Sequence, residues 1–258
     1  MMMKYDFTLG YDLGAWQDYK IKTKITTDIS SNSNSHMLFC GMSRSGKSYT
    51  VQQVLSRLAR ADKDSTFYFA DYKRDDSFAH LRNQARYFSY KDTLKALDVV
   101  YGIMQARISG EDETRNQVTF IWDEYVANIL AMYNDGKEGK KQAEIAMRKV
   151  AEILMMGASM CIRIIVSCQR PDAIVFPQGS RLNYGVVVIL GGYNDSIYRM
   201  LLPDHIDKIK QRIQTRDHDF KQGEGSILLD LGSTLKFIKI GEVANMAKMK
   251  ERCRLALS

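Results

Sequence analysis

The first chemistry in this chain sits at the end of a short apolar run. Met37, Leu38, Phe39 and Cys40 lead into Gly41; four residues later come Gly46, Lys47 and Ser48, then the helix-forming Tyr49, Thr50 and Val51. The spacing is G-x-x-x-x-G-K-S between a strand and a helix, the setting that a phosphate-binding loop requires. Across Gly41, Met42, Ser43, Arg44, Ser45 and Gly46 the backbone can curl so that its N–H groups point inward. The helix opening at Lys47 adds its positive dipole end. Lys47 is placed to reach β- and γ-phosphates, the Ser48 hydroxyl to ligate Mg²⁺, and Tyr49 to border the same cradle. The expected ligand is a nucleoside triphosphate, with ATP and Mg²⁺ as cofactors.

A second constellation lies downstream. Val118 to Trp122 is apolar and ends in Asp123 and Glu124. A strand closed by two acids suits the other half of such a site. Asp123 at the strand's carboxyl end can hold Mg²⁺ through water, and Glu124 can orient or deprotonate an attacking water. A third apolar strand, Ile162 to Cys168, ends in Gln169, Arg170 and Pro171. A polar residue there can contact the γ-phosphate or the attacking water, or it can simply form a strand-end turn.

Alternating apolar strands and helical periods must bring these three strand ends together. After Lys47 the apolar residues Val51, Val54, Leu55 and Leu58 mark one face of a helix reaching about Asp62. Strands are expected at Lys20–Thr26, Thr66–Ala70, Ala85–Phe88 and Val186–Leu190. Helices are expected from Lys91 to about Ser109, up to about Met156, over Asp195–Leu202 and over Val243–Leu257. Ser30–His36 and the Gly/Lys-rich Asn134–Lys141 read as surface loops. Gly223 to Ile240 reads as a hairpin turning at Gly232-Ser233. At 258 residues, 45% hydrophobic, the chain can bury the core of one large α/β domain.

A net charge of +7 allows an anionic partner without demanding one. The four cysteines, Cys40, Cys161, Cys168 and Cys253, show no disulfide or metal-ligand spacing, which suits a reducing cytosol. Neither a signal-peptide segment nor an apolar run of membrane-spanning length is present. A soluble, cytoplasmic protein without an integral membrane segment is therefore expected.

The ordered motifs resemble the motor domain of the FtsK/HerA family of DNA-pumping ATPases. Besides the phosphate loop they are Asp71-Tyr72-Lys73, Ile121-Trp122-Asp123-Glu124, Ser167-Cys168-Gln169-Arg170-Pro171, Asn194-Asp195-Ser196 and Gly223-Glu224-Gly225-Ser226-Ile227-Leu228-Leu229. The likeness spans roughly Leu9 to Val243. It implies a RecA-like P-loop NTPase core, a mostly parallel sheet flanked by helices, over residues 37–242. A β-rich N-terminal segment (1–36) would precede that core, which would end in the Gly223–Ile240 hairpin, and a C-terminal helix (243–258) would close a single domain.

The resemblance further implies a homo-oligomeric, usually hexameric ring with ATP between subunits and double-stranded DNA through the hole. Asp123 would support Mg²⁺, Glu124 would activate water, Gln169 would sense the γ-phosphate, and Arg170 and Arg199 would touch DNA. One departure stands out. The family places an arginine just before the third strand, where it reaches into the neighbour's site; the aligned residue here is Ala158. Arg163, Arg181 or Lys73 would have to replace that cation. The leading expectation is a compact DNA translocase serving a plasmid, integrative element or phage. The alternatives are a weakly hydrolysing ring that recruits a replication or transfer protein, and a secretion-type ATPase moving protein substrates.

Overall fold

The computed structural model describes residues 6–29, 35–176, 180–217 and 219–258. It holds a ten-stranded sheet with helices on both faces. Strands β1 (Asp6–Asp12) and β2 (Lys24–Asp28) flank helix α1 (Leu13–Tyr19). Then follow β3 (Met37–Gly41), α2 (Lys47–Ala61), β4 (Thr66–Asp71), β5 (Tyr87–Ser89), α3 (Thr93–Ser109) and β6 (Val118–Asp123). Next come α4 (Tyr125–Tyr133), α5 (Gly136–Met156), β7 (Ile162–Cys168), β8 (Val186–Leu190), α6 (Asp195–Leu201) and α7 (Ile206–Arg216). The chain closes with β9 (Glu224–Leu229), β10 (Thr234–Lys239) and α8 (Met246–Leu257).

The strand order is β2-β1-β10-β9-β8-β3-β7-β6-β4-β5. From β8 to β5 the pairings are parallel, and from β8 to β2 they are antiparallel. All five residues of β3 are buried, as its place between β7 and β8 demands. Leu38 and Cys40 face the core under α3, α4 and α5, whereas Met37 and Phe39 face the core under α2 and α8. A strand covered on both faces becomes a continuous apolar run, and that is how β3, β6, β7 and β8 read in the sequence. The parallel strands all aim their carboxyl ends at one rim. Gly41, Asp71, Asp123 and Cys168 therefore meet there, in the crevice where such sheets hold ligands.

The structure corrects several expectations. Helix α5 begins at Gly136, inside the stretch 134–141 that composition marked as a loop. Glycine is a poor helix former, but a Cβ on Gly139 would stand 2.5 Å from the Met132 carbonyl oxygen, so close packing of α5 on α4 excludes a side chain there. The strand expected over 20–26 lies at Lys24–Asp28, because Lys20 instead takes the left-handed position closing α1. The last helix starts only at Met246, with Asn245 accepting from the Lys248 N–H as its cap. Helix α7 was not expected from the sequence, although Ile206, Ile209 and Ile213 mark one face of it; Ile209 is its one fully buried residue. Of the loop read at 30–36, positions 30–34 lie outside the described residues.

Hairpin β9–β10 joins the parallel core through an unusually close approach. Leu190 pairs with Gly225, and a Cβ on Gly225 would lie 1.8 Å from the Ile189 carbonyl oxygen. Gly225→Ala should therefore prise β8 from β9 and lower stability by about 3 kcal/mol, the upper range for overpacking. Urea denaturation of the variant measures this; an unshifted midpoint would show that the pairing relaxes without cost.

Candidate functional site

The loop between β3 and α2 has the conformation that its glycines allow. Gly46 adopts φ +97°, and Arg44 is also left-handed at φ +67°. No side chain caps α2, so the N–H groups of its first turn face the cleft. Ser45 is wedged in place: a Cβ on Gly41 would meet its Oγ at 2.5 Å, and one on Gly191 its Cβ at 3.0 Å. Among the described residues its buried Oγ has no hydrogen-bond partner. The Gly223 N–H donates to the Ser45 carbonyl at 2.9 Å, so the hairpin's first turn braces the loop from behind.

A cleft of about 410 Å³ opens over this loop, bordered by 42–49, Asp75, Ser77, Glu124, Gln169 and Gln222. It thus gathers every residue of the expected phosphate loop after Gly41, with Glu124 and Gln169. Asp75, Ser77 and Gln222 were not foreseen from the sequence. Gln222 directly precedes the Gly223-Glu224-Gly225 motif, which was the available signal; Asp75 and Ser77 had none.

Glu124 is the electrostatic centre. Lys47 Nζ donates to its Oε1 at 2.8 Å, Gln169 Nε2 donates to the same oxygen at 3.1 Å, and Lys73 Nζ stands 3.3 Å from Oε2. Burial by itself would raise this carboxyl's pKa, but Lys47, then Lys73 and the Gln169 bond, outweigh it and hold it below the usual range. Burial likewise disfavours the Lys47 charge, and the Asp123 and Glu124 carboxylates overcome that and raise its pKa. Glu124 itself sits at φ 55°, ψ 38°, a left-handed backbone that costs a non-glycine residue about 1–2 kcal/mol. Its N–H donates to Ser167 Oγ at 3.3 Å, which helps to fix that turn.

Asp123 lies one residue back, fully buried, and accepts a short hydrogen bond from Ser167 Oγ. Burial pushes its carboxyl up to about 6 against the pull of Lys47 and Ser167. Asp71, opposite it on β4, is also buried and also raised by burial, while accepting from Tyr87 Oη at 2.7 Å. Ser48 is half-buried on the first turn of α2 at the cleft. The set fits a triphosphate with its divalent cation. The uncapped helix end, the orphaned Ser45 hydroxyl and Lys47 supply donors, and Ser48 and Asp123 supply hard oxygen ligands.

The expected cations separate. Lys73 stands in its own chain's site, beside Glu124. Arg163 is buried, and its guanidinium donates to the carbonyls of Ser35 at 3.0 Å and Ile29 at 2.9 Å and to Thr119 Oγ1 at 3.4 Å. It braces the amino end of β7 and is unavailable to a neighbouring subunit. Arg181 donates to the Met200 carbonyl. Ala158 is half-buried in the turn that precedes β7, at the end of that strand remote from Gln169. Arg170 is exposed just beyond Gln169, bordering a second hollow that shares Met42, Glu124 and Gln169 with the cleft and is also lined by Lys73. Arg199 is not a free cation: it pairs with Asp195, which Lys210 also approaches at 3.2 Å.

No family model matches the sequence, and no curated protein does. Solved structures do match in fold. The cytoplasmic domain of the Thermomonospora curvata type VII secretion ATPase EccC superposes with a TM-score of 0.67 at 15% identity, covering 98% of this chain and 31% of that one. The pCW3 conjugation coupling protein TcpA, solved as a monomer with ATPγS, gives 0.66 at 16% identity, covering 93% of this chain and 70% of that one. EssC (ATPases 2 and 3) from Geobacillus thermodenitrificans gives 0.65 at 14%, covering 98% and 48%. This chain thus spans less than half the length of the solved EccC and EssC chains. What these matches share with the chain is the fold: a mostly parallel sheet flanked by helices, a RecA-like P-loop α/β core.

The raised Asp123 carboxyl has a consequence for stability. The folded chain keeps this proton at pH values where the unfolded chain has lost it, so stability falls as pH rises from about 4 to about 6. Above that window the cost is fully present, on the order of 3 kcal/mol. Asp123→Asn should flatten the pH profile of stability across that window and raise stability at neutral pH. Chemical denaturation at several pH values tests this; a profile like the wild type's would place the titration on another group.

Proposed function

We propose that this chain is an ATPase motor that works in the cytoplasm as a homo-oligomeric ring and drives double-stranded DNA with the energy of hydrolysis. The observation that carries the reading is the Glu124 carboxylate, held at the cleft between Lys47 and Gln169. Lys47 exchanges Glu124 for the β- and γ-phosphate oxygens. Glu124, so released, accepts the proton of the attacking water, and Gln169 holds that water or a γ-oxygen in line. Ser48 and Asp123 would hold Mg²⁺, which would supply positive charge against the phosphates. Lys73 remains beside the reacting acid as a cation from the same chain, which matters because position 158 is alanine. A neighbour's arginine at such a site is worth about 10³–10⁵ in turnover.

The DNA reading rests on Arg170, exposed next to Gln169, and on the net charge of +7. Backbone phosphates are gripped by such cations without regard to sequence. The conjugation coupling protein among the structural neighbours supports a plasmid or integrative element as the setting. A second reading, a secretion-type ATPase moving protein, draws support from the type VII secretion ATPase EccC among the structural neighbours and from the engagement of Arg199 with Asp195.

Two measurements test this. Lys47→Ala should abolish tight binding of a fluorescent ATP analogue, while Glu124→Gln should keep binding and lose turnover by at least about 100-fold, the usual scale for a general base. Wild-type turnover in Glu124→Gln would move the catalytic role elsewhere. Long duplex DNA should stimulate wild-type ATPase, and Arg170→Ala should lower the salt slope of DNA binding by about one. A flat rate with DNA, joined to stimulation by a protein substrate, would favour the secretion reading.

A further inference from the structure

Helices α2 and α8 pack together on the face of the sheet opposite α3 and α5, and a groove of about 190 Å³ lies between them. Four of its lining side chains are cations: Arg57 and Arg60 from α2, Lys248 and Arg252 from α8. Among the described residues no carboxylate lines it. Gln53 and Asn245 add amides.

These cations differ from several of the chain's other arginines, which have acids. Arg107 pairs with Asp112, Arg199 with Asp195, and Arg254 with Glu251. In the groove only neutral groups answer. Arg57 donates to the Thr8 carbonyl at 2.7 Å, more weakly to that of Leu9 at 3.3 Å, and to Gln53 Oε1 at 2.6 Å. Its burial lowers its pKa, and no carboxylate opposes that. Arg252 gives Nη1 to Ser56 Oγ at 3.1 Å and keeps its other donors. The Arg60 and Lys248 side chains make no hydrogen bond or ion pair among the described residues. Glu242, beside Val243, is exposed and outside the lining, and Glu251 is taken by Arg254.

Convergent like charges raise the energy of the folded chain unless an anion joins them, and a groove focuses their field on one. Three guanidiniums favour a multidentate oxyanion such as phosphate over a single carboxylate. We propose that the α2–α8 groove is a second phosphate-binding site, distinct from the nucleotide cleft, which takes the phosphates of a nucleic-acid backbone or of a free oligophosphate. The two sites adjoin: the Val243 N–H, at the groove, donates to Tyr49 Oη, at the cleft, over 2.8 Å. The inference rests on the groove's chemistry and not on the reading of the chain as a DNA motor.

The test uses Arg60→Gln/Lys248→Gln, which removes two exposed cations without breaking a bond that the fold uses. Binding of a labelled DNA duplex is followed by anisotropy across a range of KCl concentrations. If the groove holds a nucleic-acid backbone, the double variant lowers the salt slope by about two, with basal ATPase unchanged. In a second arm, calorimetry measures inorganic pyrophosphate binding to Lys47→Ala protein, where the phosphate loop no longer contributes. Loss of that binding by tenfold or more on adding the double substitution assigns the groove to free oligophosphate. Either result supports the proposal, and the pyrophosphate arm stands even if wild type fails to bind duplex. No change in either arm, or poly-glutamate binding the groove as tightly as pyrophosphate, overturns it.

Discussion

The pairing of Glu124 with Lys47 is the contact on which the rest of the site depends. It joins the second acid after β6 to the lysine that opens α2, across the carboxyl ends of strands that are not adjacent in the sheet. β7 lies between β3 and β6, and its end fixes the two acids that follow β6. Ser167 bonds Asp123 and the Glu124 backbone, and Gln169 bonds the Glu124 side chain. With its left-handed backbone, Glu124 aims its carboxylate over the cleft instead of along α4. Local strain of this kind persists where surrounding structure over-determines it.

Electrostatics divides labour between the two neighbouring acids. Asp123 is enclosed, loses hydration and holds its proton more tightly than usual. Glu124, one residue on, has cations on both oxygens and stays ionised. A divalent cation near Asp123 would reverse its balance by supplying the missing positive charge. The site is thus poised for a cation–phosphate pair, whose charges complement those of Lys47, Asp123 and the uncapped helix end.

Cations elsewhere in the chain fall into structural and solvent-facing sets. Arg163 and Arg107 bond backbone carbonyls of the segments beside β2, β3, β6 and β7, so their charges serve the fold. Arg170, and Arg60 and Lys248 at the α2–α8 groove, have no such duty. The distinction decides which cations can meet a ligand. It cannot be read from charge alone, since the same residue types appear in both sets.

Much of the fold was legible because its parallel strands are buried on both faces and so appear as uninterrupted apolar runs. β3, β4, β6, β7, β8 and the β9–β10 hairpin could be placed within a residue or so for that reason. The phosphate loop was equally legible, since its glycines answer to a local backbone demand. Tertiary packing decided what lacked a local cause. Gly139 lies within a helix because another helix's carbonyl leaves no room for a Cβ, and the core buries only Ile209 of α7 fully, leaving Ile206 and Ile213 half-buried. Lys73 lies beside Glu124 in its own chain, and Arg163 is locked into the opposite end of β7. The sequence by itself determined which residues end the parallel strands, because burial writes a strand into its composition. Only the tertiary structure decided which charges meet, because the Coulomb energy of a pair depends on distance and surroundings that chain order does not contain.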